Sequence, residues 1–393
     1  MFVAELQLHN FRNHEETRLE FGKGINALLG NNGEGKTNVL EAISYLSLTK
    51  SFYSAGDAPV VQLGKQSFVV EGRLCSDAGV SHTVRIVYGS PPGEKTFTID
   101  RSKPETFGSV IGRFPIVILS PEKSEVTFGA PAERRKFLDL LLSQASPSYF
   151  SDLMEFRKIL RHRNRILLDS KLTGQRSDDT LDVWTEGLVN HGSRVSYRRQ
   201  RFVEEFAPYV IRAYGAMAGE KEIPSLKLAT LCGEGVTAED IAQNMRLDLK
   251  AKRGEELRRG TTLVGPHRDE LLFSMNGVHL QNYASQGQHK TLLVALKVAE
   301  FFYLKERRNE VPLFLLDDVF TELDEHRSRQ LVRVIEGLGQ TFVTTTTESH
   351  FYGAIEWDGL HRWYRVAGGH CARTQSHEQK ATATGPGTAP AGA

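Results

Sequence analysis

The sequence predicts an α/β fold in which a mixed β-sheet with an antiparallel β meander is interrupted by a long α-helical insertion. Three observations predict this class. A glycine-rich loop stands between a short apolar run and a helical pattern near the N-terminus, and short β-branched runs separated by turn residues follow over residues 67–119. Apolar residues then recur at helical spacing from residue 131 to residue 214. Strand-like runs return further along the chain, so we expect a helical arm inserted into one α/β domain.

The domain boundaries are placed where the pattern changes. We expect an α/β head formed by residues 1–130 and 255–370, with the inserted helical arm at 131–254 and its helical hairpin at about 148–214. Residues 374–393 consist mostly of Ala, Thr, Gly and Pro without apolar periodicity, which indicates a disordered tail.

The composition limits the class of partner and the cellular compartment. Lys and Arg total 49 and Asp and Glu total 48, which gives a net charge of +1, so any nucleic-acid surface must be local. Cys75, Cys232 and Cys371 are isolated and lack metal-ligand spacing, which favours inert thiols in a reducing cytosol. No apolar run approaches the ~18 residues of a membrane-spanning helix, and no secretory signal is evident. We expect a cytoplasmic protein without a membrane partner.

The glycine-rich loop covers residues 30–37 and fits the phosphate-binding P-loop pattern. Its glycines allow successive backbone N–H groups to converge on phosphate oxygens at the positive N-terminal end of the following helix. In such a loop Lys36 reaches the β- and γ-phosphates and the Thr37 hydroxyl holds Mg²⁺. A glycine-rich turn that happens to carry Lys-Thr is the structural alternative. The candidate nucleotide-binding residues are Gly30, Asn31, Asn32, Gly33, Glu34, Gly35, Lys36, Thr37 and Asn38.

The chain before and after this loop reads as strands. Residues 1–8 alternate apolar and polar side chains, and residues 17–21 are expected to pair back on them. Arg12 lies in the polar turn between the two, where it is either a solvated surface charge or a nucleotide contact. The antiparallel meander is predicted from the runs 68–70, 84–88, 96–99 and 116–119.

The helical arm is where positive charge collects. Two helices joined by the polar stretch 169–179 predict an antiparallel hairpin, whereas the stretch 216–260 has little pattern. Such charge is either an ordinary solvated face or a duplex-binding surface. The DNA-binding candidates are Arg157, Lys158, Arg161, Arg163, Arg165, Arg198, Arg199 and Arg201.

The second half of a nucleotide site is predicted near the C-terminus. Ser285 is placed as the N-cap of an amphipathic helix, and Gly287 allows close approach of an anion. The uninterrupted apolar run 312–316 fits a central parallel strand that ends in two carboxylates. Asp317 would hold Mg²⁺ directly or through water, and Asp318 would orient or deprotonate the attacking water. The alternative is an exposed Asp-Asp turn after a core strand.

Together these motifs resemble an ABC-type P-loop ATPase head and, within that class, the RecF family of bacterial recombination mediators. The family-specific segments are Asn-Phe-Arg-Asn (10–13), Ser-Pro-Glu (120–122), Arg-Arg-Lys-Phe-Leu-Asp (134–139), Gly-Pro-His-Arg-Asp (265–269) and Ala-Ser-Gln-Gly-Gln (284–288). They occur in the family's order across nearly the whole chain apart from the tail. The segment 265–269 either braces the strand before the signature helix or touches DNA or the other subunit.

The resemblance implies a mechanism that the bare motifs only permit. In such heads the signature residues, here Ser285, Gly287 and Gln288, act in trans on the γ-phosphate of ATP held by the P-loop of a second subunit. It implies an ATP-dependent homodimer that requires ATP and Mg²⁺, clamps duplex DNA near single-strand gaps and dissociates on slow hydrolysis. RecR is the implied partner, in a pathway with RecO that loads RecA. Asp318 replaces the usual glutamate of the class and is one methylene shorter, which suits a slow ATPase.

Two other readings use the same P-loop. A small-molecule kinase or other ATP-using enzyme would act as a monomer, and it leaves the Ser-Gln-Gly-Gln segment unexplained. The ATPase subunit of a transporter usually carries a shorter helical insertion, and the long basic one argues against that class.

Overall fold

The computed structural model describes residues 1–54, 56–89, 93–120, 125–174, 178–219, 221–233, 237–351, 355, 357 and 359–374. The predicted tail, apart from Thr374, and the Pro-Glu part of the segment 120–122 lie outside the described residues.

The chain divides into two compact units. The first is formed by Met1–Lys123 and Leu304–Ala393, and the second by Ser124–Tyr303. Residues 255–303, which the sequence assigns to the head, lie in the second unit together with the helices of the insertion. The division into an ATPase head and an inserted arm stays a prediction.

The first unit contains a six-stranded sheet with the order β14-β13-β3-β12-β11-β7. Its strands are β3 (Ile25–Leu29), β7 (Ile116–Leu119), β11 (Leu313–Leu316), β12 (Thr341–Thr345), β13 (Arg362–Ala367) and β14 (His370–Thr374). All neighbours run parallel except β13 and β14. Every residue of β3, β7, β11 and β12 is buried, as expected for strands covered on both faces. The helices α1 (Lys36–Leu48) and α9 (Glu325–Glu336) lie wholly in this unit.

A second, antiparallel sheet of the same unit has the order β2-β1-β4-β5-β6. Its strands are β1 (Phe2–Phe11), β2 (His14–Glu20), β4 (Ser67–Cys75), β5 (Ser81–Gly89) and β6 (Glu94–Ile99). The predicted meander is confirmed for its first three runs. It is wrong for 116–119, which pairs in parallel with β11. The physical reason is visible in its composition, because an apolar run without alternation belongs in a sheet that is buried on both faces.

Two contacts connect the antiparallel sheet to the rest of the first unit. The Gln340 side chain donates from Nε2 to the carbonyls of Val3 and Gly22, both at 2.8 Å, and its Oε1 accepts from Val3 N at 2.7 Å. The ring of Phe11 packs edge-on against Tyr45 of α1, with centroids 5.7 Å apart. Helix α1, which follows the loop, is therefore packed against the end of β1.

The second unit is mostly helical. Its helices are α2 (Glu125–Phe128), α3 (Pro131–Ala145), α4 (Pro147–Thr173), α5 (Asp178–Ala218), α6 (Ala238–Arg259), α7 (Leu280–Tyr283) and α8 (Gln286–Arg308), the last of which crosses the unit boundary. The strands β8 (Pro224–Ala229), β9 (Glu270–Met275) and β10 (Val278–His279) form a small antiparallel sheet. The two long helices expected between 148 and 214 are α4 and α5, which pack against each other.

Helix α6 lies in the stretch that has little sequence pattern. Its buried apolar residues form a narrow stripe of Ile241, Ala242, Met245 and Leu249, which packs in one cluster with Phe156 and Val264. The signal that could have located its start is the capping box, in which Thr237 and Asp240 exchange hydrogen bonds.

The cysteines fit the expectation of inert thiols. Burial raises the pKa of Cys232 to about 12 and that of Cys371 to about 12, so neither is a thiolate at neutral pH. No helix among the described residues is long and apolar enough to cross a bilayer.

Candidate nucleotide site and basic surface

The glycine-rich loop connects β3 to α1 and bends sharply at two glycines. Gly33 and Gly35 have φ angles of 84° and 105°, a region that side-chain-bearing residues rarely adopt. A Cβ on Gly35 would also lie 2.5 Å from Asn13 Oδ1. The loop therefore requires glycine at this position for two independent reasons, and α1 begins at the next residue.

Lys36 turns back over the loop. Its Nζ donates to the carbonyl oxygens of Gly30 at 2.8 Å and Asn31 at 2.9 Å. Burial lowers the pKa of Lys36, and the carboxylates of Asp318 and Asp317 oppose that shift. Because the direct partners are neutral carbonyls, the ammonium can exchange them for a more strongly attractive phosphate oxygen.

Asp317 lies at the end of β11 and accepts two hydroxyl hydrogen bonds. Thr37 Oγ1 donates to its Oδ1 at 2.8 Å and Thr344 Oγ1 donates to the same atom at 2.9 Å. Burial raises the pKa of Asp317, and the hydrogen bonds from Thr37 and Thr344 limit the rise. This carboxylate is desolvated yet has no direct cationic partner in the described structure.

The pair of Thr37 and Asp317 fits Mg²⁺. Both offer oxygen atoms, which are the ligands that this hard cation prefers. No group of three or more His, Cys, Asp or Glu side chains able to hold a metal occurs among the described residues. A magnesium ion at this point would therefore share its coordination with phosphate and water, as is usual for nucleotide sites.

Asp318 follows on the strand end and faces the same cleft. Its φ angle of 50° is in the left-handed region, and its backbone N–H donates to Thr344 Oγ1 at 2.8 Å. Thr344 thus connects the Asp317 carboxylate to the backbone N–H of Asp318. It was not singled out from the sequence, although its position at the end of the neighbouring strand is a usable signal. The cleft has a volume of about 260 Å³ and is lined by Asn32, Gly33, Gly35, Lys36, Thr37, Asn38, Asp318 and Thr344.

Two hairpin tips brace the loop through Asn13 and Gly369, neither of which was predicted from the sequence as a site residue. Asn13, in the β1–β2 turn, donates from Nδ2 to Glu34 O at 3.0 Å and accepts at Oδ1 from Asn38 Nδ2 at 2.7 Å. Gly369, in the β13–β14 turn, donates from N to the same Glu34 carbonyl at 3.0 Å. The buried His14 bonds Gly35 O through Nε2 at 3.1 Å. The loop is therefore held in shape from both sides.

Arg12 contacts α1 in this structure. Its Nε and Nη2 bond both carboxylate oxygens of the buried Glu41, at 2.8 and 2.7 Å. Its Nη1 donates to Pro59 O at 2.9 Å, and its Nη2 also contacts Ser54. The hydrogen bond to Glu41 raises the pKa of Arg12 further. A direct nucleotide contact by Arg12 stays a prediction.

The signature segment lies in the second unit and caps α8. Gln288 N donates to Ser285 Oγ at 3.2 Å, and Ser285 N donates to Gln288 Oε1 at 2.8 Å, which is a reciprocal capping box. Gln288 Nε2 donates in turn to Glu222 Oε1 at 2.8 Å. The Ser285 side chain is exposed. The first N–H groups of a helix have no partner within the helix, so this end of α8 offers backbone donors besides the Ser285 hydroxyl.

The basic candidates of the hairpin divide into exposed and buried residues. Arg163 and Arg199 are about 1% and 2% exposed, respectively. The structure contradicts the prediction that they contact DNA. Arg163 donates to Glu256 at 2.7 Å and to Thr262 at 2.8 Å, whereas Arg199 is paired with two carboxylates. They neutralise buried acids and are out of reach of a phosphate.

The other candidates remain on the surface. Arg157 contacts Asp139, Lys158 lies 3.7 Å from Glu155, Arg198 is half-buried near Asp152, and Arg201 contacts Glu204. Arg161 and Arg165 are exposed, and within the described parts of the chain neither has an ion-pair partner. Their role in DNA binding stays a prediction.

Comparison with known proteins places this arrangement in a class. Residues 2–368 match the family described as "RecF/RecN/SMC N terminal domain". The head of an SMC protein, solved with the C-terminal winged-helix domain of ScpA, superposes with a TM-score of 0.57 at 13% identity, over 97% of this chain and 100% of that one, which supports the fold alone. Fold and site therefore define an ABC-type P-loop ATPase head of the RecF/RecN/SMC class.

Closer relatives narrow the assignment. The DNA replication and repair protein RecF of Chloroherpeton thalassium is 41% identical over 356 residues, covering 89% of this chain and 96% of the relative. That of Salinibacter ruber is 38% identical, covering 96% and 93%. A solved structure of the recombination mediator protein RecF with ATP, in the RecFOR pathway, matches with a TM-score of 0.87 at 30% identity, over 95% of this chain and 98% of that one. The chain belongs to the RecF family of DNA replication and repair proteins.

Proposed function

We propose that this protein is an ATP-gated DNA-binding protein of recombinational repair and a slow ATPase that uses hydrolysis as a release switch. One observation carries the proposal. Around the cleft, the charges of Lys36 and Asp317 are held directly only by neutral carbonyl and hydroxyl groups. Such charges are poised for a ligand that offers the opposite charge.

In this proposal Lys36 leaves the Gly30 and Asn31 carbonyls to bind the β- and γ-phosphates of ATP. The loop supplies backbone N–H groups, and Thr37 and Asp317 hold Mg²⁺, which neutralises charge on the phosphate oxygens. Asp318 orients or deprotonates the attacking water. Its side chain lines the cleft and is one methylene shorter than the usual glutamate, which suits a base set back from the phosphate.

The second proposed element is an ATP-dependent homodimer. Ser285 and the exposed N-terminus of α8 offer hydroxyl and N–H donors suited to an anion. Together with Gly287 and Gln288 they would bind the γ-phosphate of ATP held by the partner copy. ATP would then lie in the dimer interface, and its hydrolysis would loosen the dimer.

The third element is the DNA surface. Arg157, Lys158, Arg161 and Arg165 recur along one side of α4, and Arg198 and Arg201 lie on α5. Contacts of this kind go to phosphates, so we expect little sequence specificity and steep weakening with salt. With the relatives named as replication and repair proteins and as a mediator in the RecFOR pathway, the clamp would act on duplex next to single-strand gaps. RecR, acting with RecO, would be its partner in loading RecA.

The test is the mass in solution of the wild type, Lys36→Ala and Ser285→Arg. Each is measured by light scattering with ATP and Mg²⁺, with and without a short duplex. We expect a dimer only for the wild type, with tighter DNA binding under the same conditions. Three proteins that remain monomeric while the wild type hydrolyses ATP efficiently would overturn the proposal and favour an enzyme acting as a monomer.

A further inference from the structure

One charged cluster of the second unit has no role in the nucleotide cleft. At its centre lies the buried guanidinium of Arg199, on α5. It donates to Tyr149 Oη at 3.0 Å, Pro266 O at 2.6 Å, Asp269 Oδ2 at 2.9 Å and Asp139 Oδ1 at 2.6 Å. These partners lie on α4, in the turn before β9 and on α3. One side chain thus joins the helices of the hairpin to the turn 265–269.

The cluster reaches the surface through Asp139. Its Oδ1 faces inward and accepts from Arg199 and from Tyr149 Oη, the latter at 2.7 Å. Its Oδ2 accepts from Nη2 of Arg157 at 2.7 Å. The Arg157 side chain is 50% exposed, and it belongs to the basic side of α4. A single carboxylate is therefore shared between a surface arginine and a buried one.

The buried Asp269 of the cluster is connected along the chain to the signature segment 284–288. Asp269 immediately precedes β9, and its carbonyl accepts from Arg135 Nη1 at 2.9 Å. Beyond β9, the short β10 and α7 bring the chain to Ser285. Helix α7 is tied to the same end of α3, because Gln281 Nε2 donates to Gly129 O at 3.2 Å and the buried Arg134 donates to that carbonyl at 2.7 Å. The turn before β9 and the helix α7 after β10 are thus both hydrogen-bonded at the N-terminal end of α3. Ser285 follows α7, so its position depends on both connections.

We propose that Arg157 is a positioning residue that transmits occupancy of the DNA surface to the signature helix through Asp139 and Arg199. The inference rests on the proposed function, because it connects the proposed DNA surface to the proposed trans contact. A DNA phosphate competes with Asp139 for the Arg157 guanidinium, since both are anions suited to its planar fork. When the phosphate takes Arg157, Asp139 no longer shares its charge with that surface arginine, and its attraction for Arg199 increases. The buried ion pair of Arg199 and Asp139 becomes stronger. Because Arg199 also bonds the turn 265–269, that turn and the segment from it to Ser285 become more firmly held.

Arg161 supplies the matched control. It lies one helical turn after Arg157 on the same side of α4, and it has no ion-pair partner in the described part of the chain. Loss of either arginine removes one phosphate contact. Only the loss of Arg157 also disconnects the surface from Asp139.

The experiment compares the wild type with Arg157→Gln, Arg157→Lys and Arg161→Gln. Sedimentation velocity gives the dimer fraction of each protein at fixed ATP and Mg²⁺, without DNA and with a duplex at saturation. Anisotropy titration of the labelled duplex establishes saturation for each variant. The fraction measured without DNA is the reference for the same protein.

We expect Arg157→Gln and Arg161→Gln to weaken DNA binding by a similar factor. At saturation, DNA should still raise the dimer fraction of Arg161→Gln, whereas Arg157→Gln should lose this response. Arg157→Lys should recover part of it, because an ammonium can bond either the carboxylate or the phosphate. An Arg157→Gln protein that responds to DNA like the wild type overturns the inference.

The wild type separates this inference from the proposed function. If it does not dimerise with ATP, the proposed function fails. If it dimerises with ATP but saturating DNA leaves its dimer fraction unchanged, the nucleotide-dependent dimer stands and only the coupling through Arg157 is overturned.

Discussion

The nucleotide cleft of the first unit and the buried ion network of the second hold charge in opposite ways. At the cleft, Lys36 and Asp317 are bonded to carbonyl and hydroxyl groups, which are neutral. In the helical unit, Arg163 and Arg199 are bonded to Glu256, Asp139 and Asp269, which are charged. All these side chains are largely buried, so burial alone does not distinguish a binding site from a structural pair.

The difference lies in what a ligand would have to displace. A neutral partner is readily exchanged for a phosphate or a metal ion, whereas removing a carboxylate from a buried arginine leaves an uncompensated charge. The charges at the cleft are therefore suited to binding a ligand, whereas those in the helical unit compensate one another and cannot be separated without a large cost. The pair of Arg157 and Asp139 is intermediate between a binding site and a structural ion pair, because the arginine is exposed and the aspartate is buried.

The largest expected effect is that of Arg199→Ala on the stability of the helical unit. The change leaves Asp139 and Asp269 buried without their shared cation, which should cost about 3–5 kcal/mol in the free energy of unfolding. Urea denaturation followed by circular dichroism measures it. Arg201→Ala is the control on the same helix, because its exposed pair with Glu204 should contribute at most ~1 kcal/mol. Equal losses in the free energy of unfolding for the two variants would contradict the view that the buried ion network is costly to break.

A second effect concerns His267, whose pKa burial lowers to about 4. Between pH 6.5 and about 4 the unfolded imidazole binds a proton that the folded one rejects, so stability falls as the pH falls through this window. The full loss should reach roughly 3 kcal/mol. Urea unfolding at neutral and acidic pH should show a steeper loss for the wild type than for His267→Gln. Parallel pH profiles would indicate that the imidazole is hydrated in the folded protein.

The smallest expected change in stability is that of Asp317→Asn, which should stabilise the nucleotide-free protein but abolish ATP binding. Asp317→Asn retains an acceptor for the Thr37 and Thr344 hydroxyls but removes a charge whose pKa burial has raised. The nucleotide-free protein should gain about 1 kcal/mol, in full only above the raised pKa, while Mg²⁺-dependent ATP binding is lost. Denaturation and ATP titration measure the two changes.

Asp324→Asn is the control for that prediction. Asp324 is exposed, caps α9 by accepting from Arg327 N at 2.9 Å, and has a lowered pKa. Its loss should destabilise the protein slightly. A gain in stability from both substitutions would show that the effect at Asp317 is not specific to the cleft.

The sequence was sufficient for the elements that carry local patterns. The P-loop, the strand ending in Asp317 and the N-cap at Ser285 each combine a spacing with a residue type, and the structure has them where they were expected. Strand 116–119 was assigned to the wrong sheet, because a short apolar run does not by itself reveal its neighbours.

The sequence was insufficient where partners come from distant segments. Arg163 and Arg165 look alike in the chain, yet Glu256 from α6 makes the first a buried pair, while the second is exposed. The same holds for the brace formed by Asn13 and Gly369 around the loop, which depends on two hairpins from opposite ends of the chain. Such contacts are set by tertiary packing, which a local pattern does not encode.

The central claim is that the P-loop of one copy and the signature segment of another form a single ATP site. The most direct test mixes donor-labelled Lys36→Ala with acceptor-labelled Ser285→Arg and measures energy transfer with ATP and Mg²⁺. A mixed pair contains one site with an intact P-loop facing an intact signature, so we predict ATP-dependent transfer in the mixture and none when either variant is mixed with itself. If the mixture shows no more energy transfer than the separate variants, under conditions in which the labelled wild type dimerises, the account is contradicted.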